Sequence, residues 1–197
     1  MRLPPSRLAI LFSIGAAGGL IGDQGHVESG TTEYLSDAVP FIWESALWFP
    51  VLVGLGTMAV GVTRLRLGKL TPNPSWSDGV LGIVAVIGLY ALTALLRGEP
   101  LTPATVLCFC IAIAICVWIG GGTPALICGV LAAIIGTVAE VALVAIDAAA
   151  YAEEIDTLGG VAPWLPALYL AFGFVAARLA ELLAVPARRS PRPAAPG

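Results

Sequence analysis

The sequence predicts an all-α polytopic membrane protein, built as a bundle of six transmembrane helices. Of its 197 residues, 58% are apolar and only 12% are charged, and the mean hydropathy is +0.92. Soluble domains carry roughly 25% charged residues, which they need to cover their surface. The apolar residues form long runs without alternation, so helices would satisfy the backbone polar groups inside lipid. The composition therefore excludes a soluble globule and a disordered chain.

Six apolar runs are candidates for crossing about 30 Å of hydrocarbon, which takes roughly 20 helical residues. The predicted spans cover residues 8–22, 41–63, 80–96, 101–119, 124–146 and 161–185. The loops between them cover residues 23–40, 64–79, 97–100, 120–123 and 147–160. The predicted domains are one transmembrane domain, 1–185, and a proline-rich, disordered cytoplasmic tail, 186–197.

The charge of these segments alternates in sign along the chain, and this pattern predicts the orientation. The N-terminus, loop 64–79 and the tail are basic, whereas loops 23–40 and 147–160 are acidic. Basic segments stay on the cytoplasmic side of a membrane. Both termini are therefore predicted to be cytoplasmic, which requires an even number of spans. The many Ala, Gly, Pro and Arg residues favour a bacterial source and hence a bacterial plasma membrane.

The first span has two features with more than one interpretation. Arg2 and Arg7 before a short apolar stretch also fit a secretory signal peptide, whose removal would leave five spans. The glycine pairs 15/19 and 18/22 would let helix backbones approach closely. Such pairs favour either packing within the bundle or a face for a homo-oligomer.

Motifs for catalysis, metal binding and phosphate binding are missing from the sequence. The four cysteines lie inside spans without a CxxC pair and are interpreted as packing residues. His26, the only histidine, is predicted to be a solvated residue of the acidic loop. The GGG turn at 120–122 has no Lys or Arg beside it to hold a phosphate. We therefore expect no enzyme, no metal, no cofactor besides a bound lipid, and, at a net charge of −3, no nucleic-acid partner.

Glu140 is the main candidate for a functional site, because an ionisable group inside a bilayer is costly unless it is neutralised, paired or wetted. Asp147 follows seven residues later and is expected on the same helix face. Trp48 lies inside the second span, where Pro50 is expected to bend the helix, as Pro166 is in the sixth span. Two bent helices would leave a cavity between them for a lipid or another ligand.

The residues themselves leave three interpretations of Glu140 open. It is a protonated group in an interhelical hydrogen bond, the polar anchor of a ligand, or part of a proton relay. The second interpretation favours a lipid-binding protein, and the third favours a small proton-coupled transporter that uses Glu140 and Asp147. A purely structural membrane anchor for other proteins is the remaining alternative.

Several segments in register make the chain resemble the Insig family, the sterol-regulatory membrane proteins of the animal endoplasmic reticulum. ESALWFP at 44–50 resembles the family's SAWWVP segment, and glycines follow in both. The residues at 76–77 and 84–88 resemble its third span, and WLP at 164–166 resembles the opening of its last span. The resemblance extends over about residues 8–185 and implies the same six spans with both termini in the cytosol.

Insig proteins bind oxysterols within the membrane and anchor other polytopic membrane proteins, so the resemblance implies a lipid-binding function without catalysis. Glu140 falls where the family has a Gln associated with the sterol pocket. Asp156 falls near an Asp that the family needs for partner binding, and is the partner-binding candidate here. The ligand-binding candidates are Glu140, Trp48, Pro50, Trp164 and Pro166.

The expected ligand is a neutral lipid, either sterol-like or diacylglycerol-like, and the protein would act as a lipid sensor or adaptor. A phosphate is not expected inside the bundle, because no Lys or Arg is expected deep in any span. The family's charged FDRSRSG segment is replaced by the uncharged GGGT at 120–123. This departure makes the eukaryotic protein partners of the family unexpected here.

Overall fold

The computed structural model describes residues 3–35, 40–71 and 75–185, so the predicted tail at 186–197 lies outside the described residues. Within these described residues, six helices are long and apolar enough to cross a membrane, which confirms the predicted all-α six-helix bundle. They are α1 Pro5–Glu28, α2 Trp48–Arg66, α3 Trp76–Leu95, α4 Leu101–Ile119, α5 Gly122–Ala145 and α6 Leu165–Ala184. Helix α1 runs six residues past the predicted span, and α2 begins seven residues after its predicted start.

Helix α6 is the centre of the bundle, and the other helices pack around it. Sixteen of its 20 residues are buried. Gly173 of α6 lies against Ala132 of α5, where a Cβ on the glycine would come within 2.4 Å of the alanine Cβ. A Cβ on Gly15 of α1 would lie still closer to the side chain of Thr57 in α2. Small residues thus allow backbone contacts between helices, as they commonly do in membranes.

Two small antiparallel sheets lie at one end of the bundle. Strand β1, Thr32–Tyr34, pairs with β4, Ala149–Tyr151, and so joins the segment after α1 to the segment before α6. Strands β2, Phe41–Ile42, and β3, Ser45–Ala46, form a hairpin directly before α2. This hairpin occupies residues that hydropathy alone assigned to the second span.

Pro50 and Pro166 lie in the first turns of their helices. Helix α2 begins at Trp48 and α6 begins at Leu165, so neither proline interrupts a helix interior. The missing N–H of a first-turn proline removes no helical hydrogen bond. The prediction of two helices bent by proline is therefore wrong.

The two ends of the bundle differ in charge. The basic end holds the start of α1, the end of α2, the turn between α4 and α5, and the end of α6; Arg7 donates a hydrogen bond there to the carbonyl of Leu183. The acidic end holds the two small sheets and the segment between α5 and α6. Which end faces the cytoplasm stays a prediction from the charges.

Candidate functional site

A cavity lies between α6 and the surrounding helices, with about 740 Å³ of space not filled by atoms. Apolar side chains form most of its wall. The polar side chains among the described residues of this wall are Thr57, Tyr90, Glu140 and Tyr169. Gly15, Gly18 and Gly19 of α1 also line it, and nothing lies within 4 Å of the missing Cβ of Gly18. Absent side chains therefore help to create the space that was predicted to come from bent helices.

Glu140 lies in the wall of this cavity. The residue is 8% exposed, and its carboxyl accepts a hydrogen bond of 2.8 Å from the Tyr169 hydroxyl. The Tyr169 ring packs against Gly136, where a Cβ would come within 2.4 Å of the ring. Helices α5 and α6 thus fix a carboxyl–phenol pair whose remaining oxygen acceptors suit a ligand hydroxyl.

A second space, the α2–α5 groove, runs along the outside of the bundle between α2 and α5, over α6. It measures about 1080 Å³, and exposed side chains such as Leu55 and Ile135 line it, so it opens toward the lipid. The cavity and the groove share four wall residues, Phe49, Val53, Tyr169 and Phe172. The two spaces therefore diverge from one largely aromatic wall beside Glu140.

His26 is 1% exposed, so the prediction of a solvated loop residue is wrong. Helix α1 continues to Glu28 and carries His26 into the acidic end of the bundle. The Thr93 hydroxyl donates to the Tyr90 carbonyl at 2.7 Å, so His26 Nε2 donates to Thr93 Oγ1 at 2.8 Å. Its ring also packs against Tyr90, with centroids 4.4 Å apart. The buried glycines of α1 recur at intervals of three or four residues, and His26 follows at the next such interval. This spacing in the sequence could therefore have predicted that His26 is buried.

Asp23, also assigned to the acidic loop, is buried in α1. It accepts a hydrogen bond of 2.5 Å from the hydroxyl of Tyr34, which lies outside the membrane-spanning helices in β1. Burial, and then the negative charge of Asp23, raise the pKa of Tyr34 well above its usual range. Tyr34 therefore stays a hydrogen-bond donor at the closed acidic end.

Four of the five predicted ligand-binding residues lie outside the lining of the cavity: Trp48, Pro50, Trp164 and Pro166. Their chain neighbours Phe49 and Leu165 line it instead. Trp48 packs edge-on against Tyr34, with centroids 5.5 Å apart, and Trp164 is buried at the acidic end. The structure thus brings only Glu140 of these candidates to the cavity wall.

Asp147 and Glu140 do not share a helix face. Helix α5 ends at Ala145, and Asp147 is exposed in the following turn with a φ of 55°. The seven-residue helical spacing therefore does not apply, and the expected pair of carboxylates on one face is wrong.

Asp156 is half-buried between β4 and α6, where its carbonyl accepts a hydrogen bond from the Gly160 N–H. Its role in partner binding stays a prediction.

Arg178 contradicts the expectation that no cation lies deep in a span. It lies in α6 and is 5% exposed. Arg178 Nη1 and Arg64 Nη2 donate to the two carboxylate oxygens of Glu181, which is fully buried. The Thr71 N–H and hydroxyl donate to Glu181 Oε1 at 3.1 Å and 3.0 Å. This charged cluster lies at the basic end, and its members do not line the cavity.

No family model matches this sequence. A curated relative from Mycolicibacterium vanbaalenii, named INSIG protein homolog, is 46% identical over 182 residues, which cover 92% of this chain and 89% of the relative. The chain belongs to the Insig family. The resemblance inferred from the sequence segments is thereby confirmed, and with six apolar helices this Insig-family chain is an integral membrane protein.

Solved structures confirm the same fold. The crystal structure of MvINS, a mycobacterial Insig homolog from Mycobacterium vanbaalenii, has a TM-score of 0.87 at 42% identity and covers 94% of this chain and 99% of its own. A cross-linked trimer of an MvINS variant has a TM-score of 0.87 at 43% identity, covering 93% and 96%. The six-helix arrangement is thus shared with a solved Insig homolog.

Proposed function

We propose that this protein binds a neutral lipid inside its helix bundle and acts as a lipid sensor or adaptor, without catalysis. The observation that carries the proposal is the Glu140–Tyr169 pair in the wall of an otherwise apolar cavity. An apolar pocket with a few convergent polar groups is the usual form of a ligand site. Membership of the Insig family supports the same function.

The wall of the cavity favours an uncharged headgroup. No Lys or Arg is present among its described residues, so a phosphate would lose its hydration there without a counter-charge. A ligand hydroxyl can instead exchange hydrogen bonds with Glu140 and Tyr169. Hydroxyl and ester oxygens occur together in diacylglycerol-like lipids, and a hydroxyl occurs in sterol-like lipids.

The two diverging spaces favour a lipid with two chains. A headgroup beside Glu140 would leave one chain for the cavity and one for the α2–α5 groove, which meet at Tyr169 and Phe172. A sterol-like ligand would fill the cavity alone. We therefore rank diacylglycerol-like lipids above sterol-like lipids.

The charge pattern and the relatives of the protein support proposals for its membrane, its orientation and its assembly. We infer a bacterial plasma membrane, with the basic end of the bundle in the cytoplasm. The trimer of MvINS supports a homo-oligomer for this chain as well. Asp156 is the candidate residue for a polytopic membrane partner, since it is half-buried in the segment before α6.

The test is lipid mass spectrometry on gently purified protein, comparing wild type with Glu140→Gln and Glu140→Leu. We expect a neutral lipid to be retained by wild type and largely by the Gln variant, because an amide also offers a donor and an acceptor. The Leu variant leaves a buried polar partner unpaired, so affinity should fall on the order of 5- to 150-fold. Glu154→Leu, an exposed carboxylate outside the cavity, is the matched control.

Two results would contradict the proposal. Equal lipid binding by all variants would leave Glu140 as an interhelical hydrogen bond only. Solute flux that depends on pH in proteoliposomes, lost in both Glu140 variants, would assign a proton relay and favour the transporter.

A further inference from the structure

The glycine turn between α4 and α5 lies directly against Arg178. Its three glycines, at 120–122, have positive φ values of 65°, 144° and 65°. A Cβ on Gly121 would lie 2.8 Å from Arg178 Cδ, so glycine allows the arginine side chain to approach the turn this closely. The cation that is missing beside these glycines in the sequence is thus supplied by α6.

Arg178 and Arg64 share the single carboxylate of Glu181. Two guanidinium groups and one carboxylate leave a net charge of +1 in a buried cluster, and burying a charge without a partner is costly. Arg64 Nε, Arg64 Nη1 and Arg178 Nε are also buried and have no hydrogen-bond partner within the described ranges. These N–H groups therefore point to an anion.

The N-terminus of α5 adds positive potential at the same place. Helix α5 begins at Gly122 and has 24 residues, and the first N–H groups of a helix have no carbonyl partner within it. Gly121 is buried beside Arg178, whereas Gly120, Gly122 and Thr123 are exposed. An anion can therefore reach the turn from outside the bundle, above the buried arginine.

The wider charge of the basic end agrees with this site. The described carboxylates at this end are Asp78 and Glu181. The described cations at this end are Arg7, Arg64, Arg66, Lys69 and Arg178. A basic surface next to a bilayer attracts anionic headgroups, and phosphate oxygens match the N–H groups of a guanidinium.

We propose that the turn at 120–122, together with Arg178, forms a phosphate-binding site at the basic end of the bundle. The first N–H groups of α5 would donate to the phosphate oxygens at the exposed face of the turn, and the anion would balance the excess positive charge of the buried cluster beneath it. The site lies apart from the Glu140 cavity and does not depend on the lipid proposed for it. A lipid phosphate and free phosphate carry the same chemistry, and the experiment separates them.

The first experiment measures thermal unfolding of the purified protein with inorganic phosphate against chloride at equal ionic strength. Its second arm uses nanodiscs of phosphatidylcholine with and without phosphatidylglycerol. A response to free phosphate assigns a soluble anion, and a response to phosphatidylglycerol alone assigns a headgroup. No response in either arm overturns the proposal.

Charge variants test the arginine directly. Arg178→Gln should lower the affinity for the responding probe at least about 10-fold, because it removes the positive charge beneath the turn. Arg66→Gln removes an exposed charge from the same end and should change the affinity much less. Equal effects of the two arginine variants would contradict the site.

A pair of glycine variants keeps the test valid if Arg178→Gln does not fold. Gly121→Ala places a methyl group against Arg178 Cδ, whereas Gly122→Ala meets only Pro124 Cδ, at 3.8 Å. Both positions have positive φ, so both variants carry backbone strain. Weaker binding by Gly121→Ala than by Gly122→Ala supports the site, and equal binding overturns it.

Discussion

The two polar clusters inside this bundle differ in the charge of the groups that pair with their buried carboxyl group. At the cavity, Glu140 is paired with a neutral hydroxyl group, that of Tyr169. At the basic end, Glu181 accepts from two guanidinium groups and from the backbone N–H of Thr71. Glu140 can therefore be replaced by a neutral group without leaving an opposite charge buried, whereas Glu181 cannot. The first arrangement suits a ligand that comes and goes, and the second suits a permanent connection between α2, α6 and the chain after α2.

The largest expected effect comes from Glu181→Leu. It leaves Arg64 and Arg178 buried without their carboxylate, and breaking a buried ion pair in this way costs about 3–5 kcal/mol. Glu140→Leu leaves only a hydroxyl unpaired, which costs about 1–3 kcal/mol. Thermal unfolding in detergent measures both. Equal losses of stability in the two variants would remove the distinction between the clusters.

A smaller effect is expected from Gly136→Ala, which tests whether packing positions the partner of Glu140. The new methyl group would come within 2.4 Å of the Tyr169 ring, and such overpacking costs about 1–3 kcal/mol. Tyr169 should then move away from Glu140, and the protein should retain less lipid as a consequence.

The matched control for this change is Gly88→Ala, in α3 and outside the walls of both the cavity and the α2–α5 groove. Nothing lies within 4 Å of the missing Cβ of Gly88, so the helix should gain up to about 1 kcal/mol. Melting temperature and lipid retention are measured for both variants. Loss of lipid by both would show that neither effect acts through Tyr169.

The smallest effect concerns the exposed ion pair of Arg97 and Glu154 at the acidic end. A hydrogen bond from its own backbone N–H, and then Arg97, lower the pKa of Glu154 below its ordinary 4.5. A carboxyl with a lowered pKa stabilises the fold above its unfolded pKa, and this contribution is lost as the pH falls through the folded pKa. Glu154→Gln should thus be slightly less stable than wild type at neutral pH and equal to it in acid. A difference that persists in acid would show that charge is not its cause.

Hydropathy and charge predicted the six helices because both quantities are summed over the many residues of a long segment. Lipid must solvate the whole of an apolar run, so an error of several residues at one end does not change the number of spans. The same reasoning identified Glu140, since a carboxyl in the middle of such a run has to be buried or paired. Short segments such as ESALWFP were enough to indicate the Insig family.

The contacts between helices could not be predicted from hydropathy and charge, because they depend on which faces of the helices pack against each other. Only the packing of α1 on α3 shows that His26 meets Thr93, and only the bundle places Arg178 of α6 beside Gly121 and joins Arg64 to Glu181. The spacing of Arg178 and Glu181 within one span was visible in the sequence, but their partner in α2 was not. The sequence by itself therefore determined how many helices are long and apolar enough to cross the membrane, and that Glu140 lies within one of them. The tertiary structure decided which polar residues meet, because partners far apart in the chain are selected by the close approach of small residues between helices.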